Sequence, residues 1–146
     1  MKNNQMKLLL LLGLTFMIPN LVSAQISNDP FFEYIYEIDS ANNRKLHLNA
    51  DIMPTFIDTS LTFNKFFIQN FKYPSIDCIQ TRIVITFIVE SDGQITSKKI
   101  INKIDCDITN EIMITLDRLP KMKPGLIQGK TVPIKLTYPI ILESIS

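Results

Sequence analysis

His47, Ser91 and Ser97 are where a hydrolase reading of this sequence would begin. His47 is the chain's one His, and nothing in the sequence around it marks a catalytic partner that would make it a general base. Neither serine has a positioned base. Asp92, Asp105 and Asp107 bring carboxylates close together, but they lack the ligand count and spacing of a calcium loop. A hairpin turn and a helix cap account for them better. No H-E-x-x-H, C-x-x-C or Gly-rich phosphate loop occurs. The expectation is a non-enzyme with no catalytic residue, no cofactor and no metal site.

The chemistry that remains belongs to the backbone. An alternating segment runs from Val132 to Leu142, with Pro133 and Pro139 at the same parity. In a regular strand the N–H and C=O of one residue point to one edge. Both prolines therefore remove a donor from a single edge, and proline in a sheet is confined largely to edges. That edge, carrying Pro133, Lys135, Thr137 and Pro139, is expected to face solvent, while the other edge pairs inside the sheet. Two uses follow. The prolines guard against edge-to-edge aggregation, or they limit the register of one extended peptide added as a strand.

The elements that must position this edge are legible in part. Met53-Pro54-Thr55-Phe56 leads into a helix that Thr59 or Ser60 can cap, with Phe63, Phe66, Phe67 and Phe71 at helical spacing. This aromatic stripe reads as core. Tyr73-Pro74 ends the segment, because proline pushes its predecessor out of helical angles. Ile83, Ile85, Phe87 and Val89 form one face of a strand that turns at Asp92-Gly93, a two-residue hairpin signal. The return strand, Gln94 to Ile101, is irregular, which a bulge would explain. Asp107 or Thr109 caps a second helix, with Ile108, Ile112 and Leu116 on one face and Met113 beside them. It stops at Pro120, and residues 121–129 read as a loop. Residues 25–52 form an N-terminal extension, either two short strands or a strand and a loop. The expected fold is α+β: a small antiparallel three-stranded sheet with two helices packed on one face, in the order helix-strand-strand-helix-strand, preceded by a signal peptide.

Residues 1–24 carry the export signal. Lys2 and Lys7 precede an apolar core from Leu8 to Ile18, and Val22-Ser23-Ala24 fits cleavage before Gln25. The apolar run is shorter than the roughly 20 residues of a membrane helix. The alternative is an inner-membrane anchor through residues 8–24. The chain has 15 Lys and Arg against 14 Asp and Glu, and loss of the leader tips it slightly acidic. No basic face for nucleic acid is expected, nor attraction to an anionic membrane. In a periplasmic chain Cys78 and Cys106 are a disulfide candidate. A two-residue turn at Asp92-Gly93 sets them diagonally adjacent at the open end of the hairpin. Two buried thiols are the alternative.

The landmarks Met53-Pro54-Thr55-Phe56, Tyr73-Pro74, Ile83 to Val89, Asp92-Gly93, Pro120 with Pro124-Gly125, Gly129-Lys130 and Val132-Pro133 through Pro139-Ile140 come in a characteristic order. Over residues 53–142 that order resembles the C-terminal domain of TonB, the periplasmic protein that carries energy to outer-membrane receptors. The resemblance implies a domain over 53–146 whose last strand takes up a receptor's short TonB-box peptide, with the Tyr-Pro segment nearby. It implies Tyr73, Pro74, Val132, Pro133, Ile134, Lys135, Leu136 and Thr137 as partner contacts, and a TonB-dependent outer-membrane receptor or other envelope protein as partner. The chain departs from the family at Thr81, where Gly is usual, and at Met122, where Trp is usual. Leu8 to Ile18 lacks the polar pattern that engages a motor, and no long linker follows. The expectation is thus a periplasmic binding domain linked to TonB-dependent transport, not an energy transducer on its own. The alternative is a structural or assembly protein of the envelope that forms a homodimer through the same edge.

Overall fold

Ile83, Ile85, Phe87 and Val89 alternate on the central strand of the fold, and all four are fully buried. The computed structural model describes residues 33–73, 81–102 and 108–143. The predicted leader, Pro74, Cys78 and Cys106 lie outside the described residues. The described chain forms β1 (Tyr36–Asp39), β2 (Arg44–His47), β3 (Thr55–Phe56), α1 (Phe63–Asn70), β4 (Thr81–Val89) and β5 (Ile95–Ile100). It continues with α2 (Thr109–Asp117), β6 (Met122–Lys123), β7 (Gly125–Ile127), β8 (Lys130–Val132) and β9 (Ile134–Leu142).

The main sheet has five strands in the order β1-β2-β9-β4-β5, and two small two-stranded sheets, β3-β6 and β7-β8, accompany it. The expected antiparallel three-stranded sheet is therefore corrected to a mixed five-stranded one, within the α+β class. Its antiparallel centre, β9-β4-β5, matches the three strands read from the sequence. The two added strands form an antiparallel hairpin pairing Tyr36 with His47 and Asp39 with Arg44. This hairpin joins β9 in parallel, through His47 opposite Ile134. Four-residue strands with one half-buried face carry little local signal, and a parallel partner far along the chain adds none.

Both helices bury their apolar stripes on the Ile83–Val89 face. Phe63, Phe66 and Phe67 of α1 join Ile108, Ile112 and Leu116 around α2 in one core with Ile134, Leu136, Ile140 and Leu142. Rings stack across it, with Phe63 and Tyr138 centroids 4.1 Å apart and nearly parallel. Full burial of each such side chain favours folding by about 1.5–3 kcal/mol. Thr62, not Thr59 or Ser60, caps α1, its hydroxyl accepting from the Lys65 N–H at 3.2 Å. Ser60 instead donates its hydroxyl to Asp58. Of the two caps expected for α2, Thr109 is instead its first helical residue and Asp107 lies outside the described residues; the cap position is held by Ile108, which offers no side-chain cap.

The β4–β5 connection is one residue longer than the expected two-residue turn. Glu90 N–H donates to the Gln94 carbonyl, and Gly93 N–H donates to the Glu90 carbonyl, each at 2.8 Å. Ser91, Asp92 and Gly93 thus form the loop, with Gly93 at φ +85°. A type I turn followed by a left-handed Gly gives this three-residue form. The irregularity expected in the return strand is a register shift opposite Thr86 and Ile88. Ser97, at φ +51°, supplies the extra residue.

Pro133 divides the segment read as one final strand. Val132 ends β8, where it pairs with Gly125, and β9 begins at Ile134. Residues 121–129, read as loop, carry β6 and β7. Among the described residues, no helix is long and apolar enough to cross a membrane.

Candidate peptide-binding edge

The β4–β9 register determines which groups of β9 are left over. Pairs run from Thr81 opposite Leu142 to Val89 opposite Ile134. Val84 turns its backbone toward β5: its carbonyl accepts from Ile101 N–H, and its N–H donates to Asn102 Oδ1 at 2.6 Å. Alternation then directs the odd-numbered β4 residues to β9, where they meet the even-numbered residues from Ile134 to Leu142. The backbone groups of Lys135, Thr137, Pro139 and Ile141 consequently face the opposite edge. The missing N–H of Pro139 costs no ladder bond, as the shared proline parity requires.

The β1–β2 hairpin occupies the start of this edge. His47 N–H donates to the Pro133 carbonyl at 3.1 Å. By the geometry of a parallel bridge, the Lys135 N–H closes the other half. Side chains hold the hairpin in place. Lys135 Nζ donates to Glu37 Oε1 at 2.7 Å, and Arg44 grips Glu90 with two bonds, at 2.7 and 2.8 Å. Leu46 is buried and lines a recess with Thr86 and Ile88, on the sheet face opposite the helices. His47 lies beside the Tyr36 ring, and its buried Nδ1 meets no hydrogen-bond partner among the described residues. No group of three or more His, Cys, Asp or Glu able to hold a metal occurs among the described residues.

From Thr137 onward the edge has no strand beside it among the described residues. Thr137 and Ile141 each present an N–H and a C=O, and Pro139 a C=O. All three side chains are exposed, Ile141 at 63%. The equivalent stretch of β4 is closed differently. Past the end of β5, the Asn102 amide bonds Val84 N–H through Oδ1 and the Arg82 carbonyl through Nδ2, at 2.6 and 2.7 Å, imitating another strand residue.

Beside the open run lies a cleft of about 480 Å³, walled by Phe56, Leu61, Phe63, Met122, Tyr138 and Pro139. Burial raises the Tyr138 hydroxyl above its ordinary range. The structure thus distributes the residues expected to contact a partner. Val132 belongs to β8, Pro133 and Ile134 meet β2, and Lys135 pairs with Glu37. Leu136 is buried and bonds toward β4, and only Thr137 lies on the open run. Tyr73 is exposed, its ring edge-on to Phe71. Tyr138 and Ile141 are not among the partner contacts expected from sequence. The proline parity pointed to their strand, and nothing local pointed to the cleft.

Acid should loosen the hairpin that bounds this edge. The Arg44 guanidinium, then the Thr96 hydroxyl, hold the Glu90 carboxyl below its ordinary value of 4.5. A carboxyl depressed by folding stabilises fully above its unfolded value, and that contribution is lost as pH falls through the folded one. Glu90→Gln is expected to lower urea stability at pH 7 by about 1–2 kcal/mol and by clearly less at pH 3. An equal loss at both pH values would show that the ion pair contributes nothing. No protein-family model matches this chain, and no curated protein matches it.

Proposed function

We propose that this protein is a TonB-like binding domain of the periplasm. It takes up an extended segment of an outer-membrane receptor or another envelope protein as an added strand on β9. The observation that supports this most is the run from Thr137 to Ile141, which offers main-chain donors and acceptors beside an apolar cleft and has no strand against it among the described residues. At a rise of about 3.4 Å per residue, roughly five peptide residues match its length. Strand addition draws affinity from such main-chain bonds and specificity from alternate side chains. The resemblance of the ordered landmarks to the TonB C-terminal domain is what suggests the partner and a link to TonB-dependent transport.

A second copy of the chain is the other candidate for the edge, and proline chemistry disfavours it. Antiparallel self-pairing about Pro139 sets two prolines opposite each other, with no donor on either side and two carbonyls unsatisfied. Self-pairing centred nearer Lys135 runs into β2. A foreign peptide without proline at that point still donates its N–H to the Pro139 carbonyl. Isothermal titration of the exported domain with receptor TonB-box peptides is expected to show saturable binding. Sedimentation of the domain alone should show a monomer. A folded domain that binds no such peptide, or that dimerises through this edge, would remove the proposal.

A further inference from the structure

We propose that the cleft beside Tyr138 and Pro139 is a side-chain pocket that selects one uncharged apolar residue of the added peptide, the residue opposite Tyr138. The inference rests on strand addition at β9 and specifies what is recognised there. Parity supplies the first argument. Tyr138 turns its side chain to the helix-bearing face, where it stacks on Phe63. In a strand laid along β9, the residue opposite Tyr138 turns to that same face, and its two neighbours turn away. One peptide side chain, and not its neighbours, is therefore directed at the cleft.

Charge supplies the second argument. Among the described residues, no Asp, Glu, Lys or Arg lines the cleft. Most of its walls are aromatic and aliphatic, and the polar residues among them, Thr55, Thr59, Thr62 and Asn64, are uncharged. The Thr62 hydroxyl is already bonded to the Lys65 N–H. A carboxylate or ammonium entering here would lose its water and find no counter-ion, whereas a Leu or Phe side chain would exchange water for apolar contact. A volume of about 480 Å³ accommodates either apolar side chain. Pro139 belongs to both the cleft and the open edge, so backbone and pocket are contiguous.

The test uses acetylated, amidated pentapeptides Thr-Val-X-Val-Thr with X as Leu, Phe, Asp or Lys, titrated into the exported domain. The Leu and Phe peptides are expected to bind at least about tenfold more tightly than the Asp and Lys peptides. Thr59 is exposed and lines the cleft, and Thr59→Trp should fill the cleft without replacing a core residue. It is expected to erase the preference while peptide binding still protects the Thr137 amide from hydrogen exchange. Equal binding of all four peptides, with Thr137 protected, would overturn the pocket and leave the edge intact. A preference that survives in Thr59→Trp would also overturn it. Binding of none of the peptides would overturn strand addition and the pocket together.

Discussion

Gly93→Ala is expected to destabilise the domain by about 2–5 kcal/mol, the range of substitutions that force both backbone strain and a clash. Gly93 sits at φ +85°, a conformation that side chains rarely adopt. A Cβ there would stand 2.0 Å from the Met122 carbonyl oxygen, which is backbone and cannot rotate aside. Nor can β6 retreat cheaply. Met122 N–H donates to the Gly93 carbonyl at 2.9 Å, and Met122 pairs with Phe56 in the β3–β6 sheet. The turn thus buttresses the strand pair that walls the cleft, and its loss should reach the site. Urea denaturation followed by circular dichroism measures the effect. A midpoint close to wild type would mean that the loop is not packed on β6 as described. Asp92→Ala removes only the bond its Oδ1 accepts from Gln94 N–H, and should cost about 1 kcal/mol.

Thr137→Pro should separate folding from binding. The Thr137 N–H faces the open edge, so its removal takes no bond from the β4–β9 ladder, and Pro139 already stands at the same parity. Stability is expected to fall by less than about 1 kcal/mol. A peptide on the edge would lose one donor and meet a ring where the N–H had been. Affinity should drop at least about tenfold, since one lost hydrogen bond of about 1.5 kcal/mol already has that effect. Thr137→Ala keeps the N–H and should bind nearly as wild type. If Thr137→Pro binds peptide unchanged, the interface lies elsewhere. If Thr137→Pro unfolds the domain, the ladder parity assigned to β9 is wrong.

The parts of this architecture that a reader of the sequence can recover are those with local periodicity. Ile83 to Val89, the Phe63–Phe67 stripe and the Ile108–Leu116 face each announce their buried side over one element. Pro139 announces the open part of the outer β9 edge for the same reason, because parity is local, whereas at Pro133 the edge expected to face solvent is taken by β2. The length of the hairpin loop is less legible, since Asp-Gly suits two-residue and three-residue loops alike. What is hidden depends on residues far apart in the chain. The bridge from His47 to Ile134 decides how much of the edge is free, and no pattern near either residue encodes it. This shifts the candidate surface from Val132–Thr137 toward Thr137–Ile141. The cleft is hidden for the same reason, because residues near 56, 63, 122 and 138 build it together.

Amide hydrogen exchange, followed by NMR with and without a receptor TonB-box peptide, bears most directly on strand addition at β9. Thr137 and Ile141 are the two residues of the open run that still carry an outward N–H. Strand addition predicts that peptide slows exchange at these two amides, while Leu136 and Ile140, already bonded toward β4, change little. Peptide binding that leaves Thr137 and Ile141 exchanging at their free rates would contradict it.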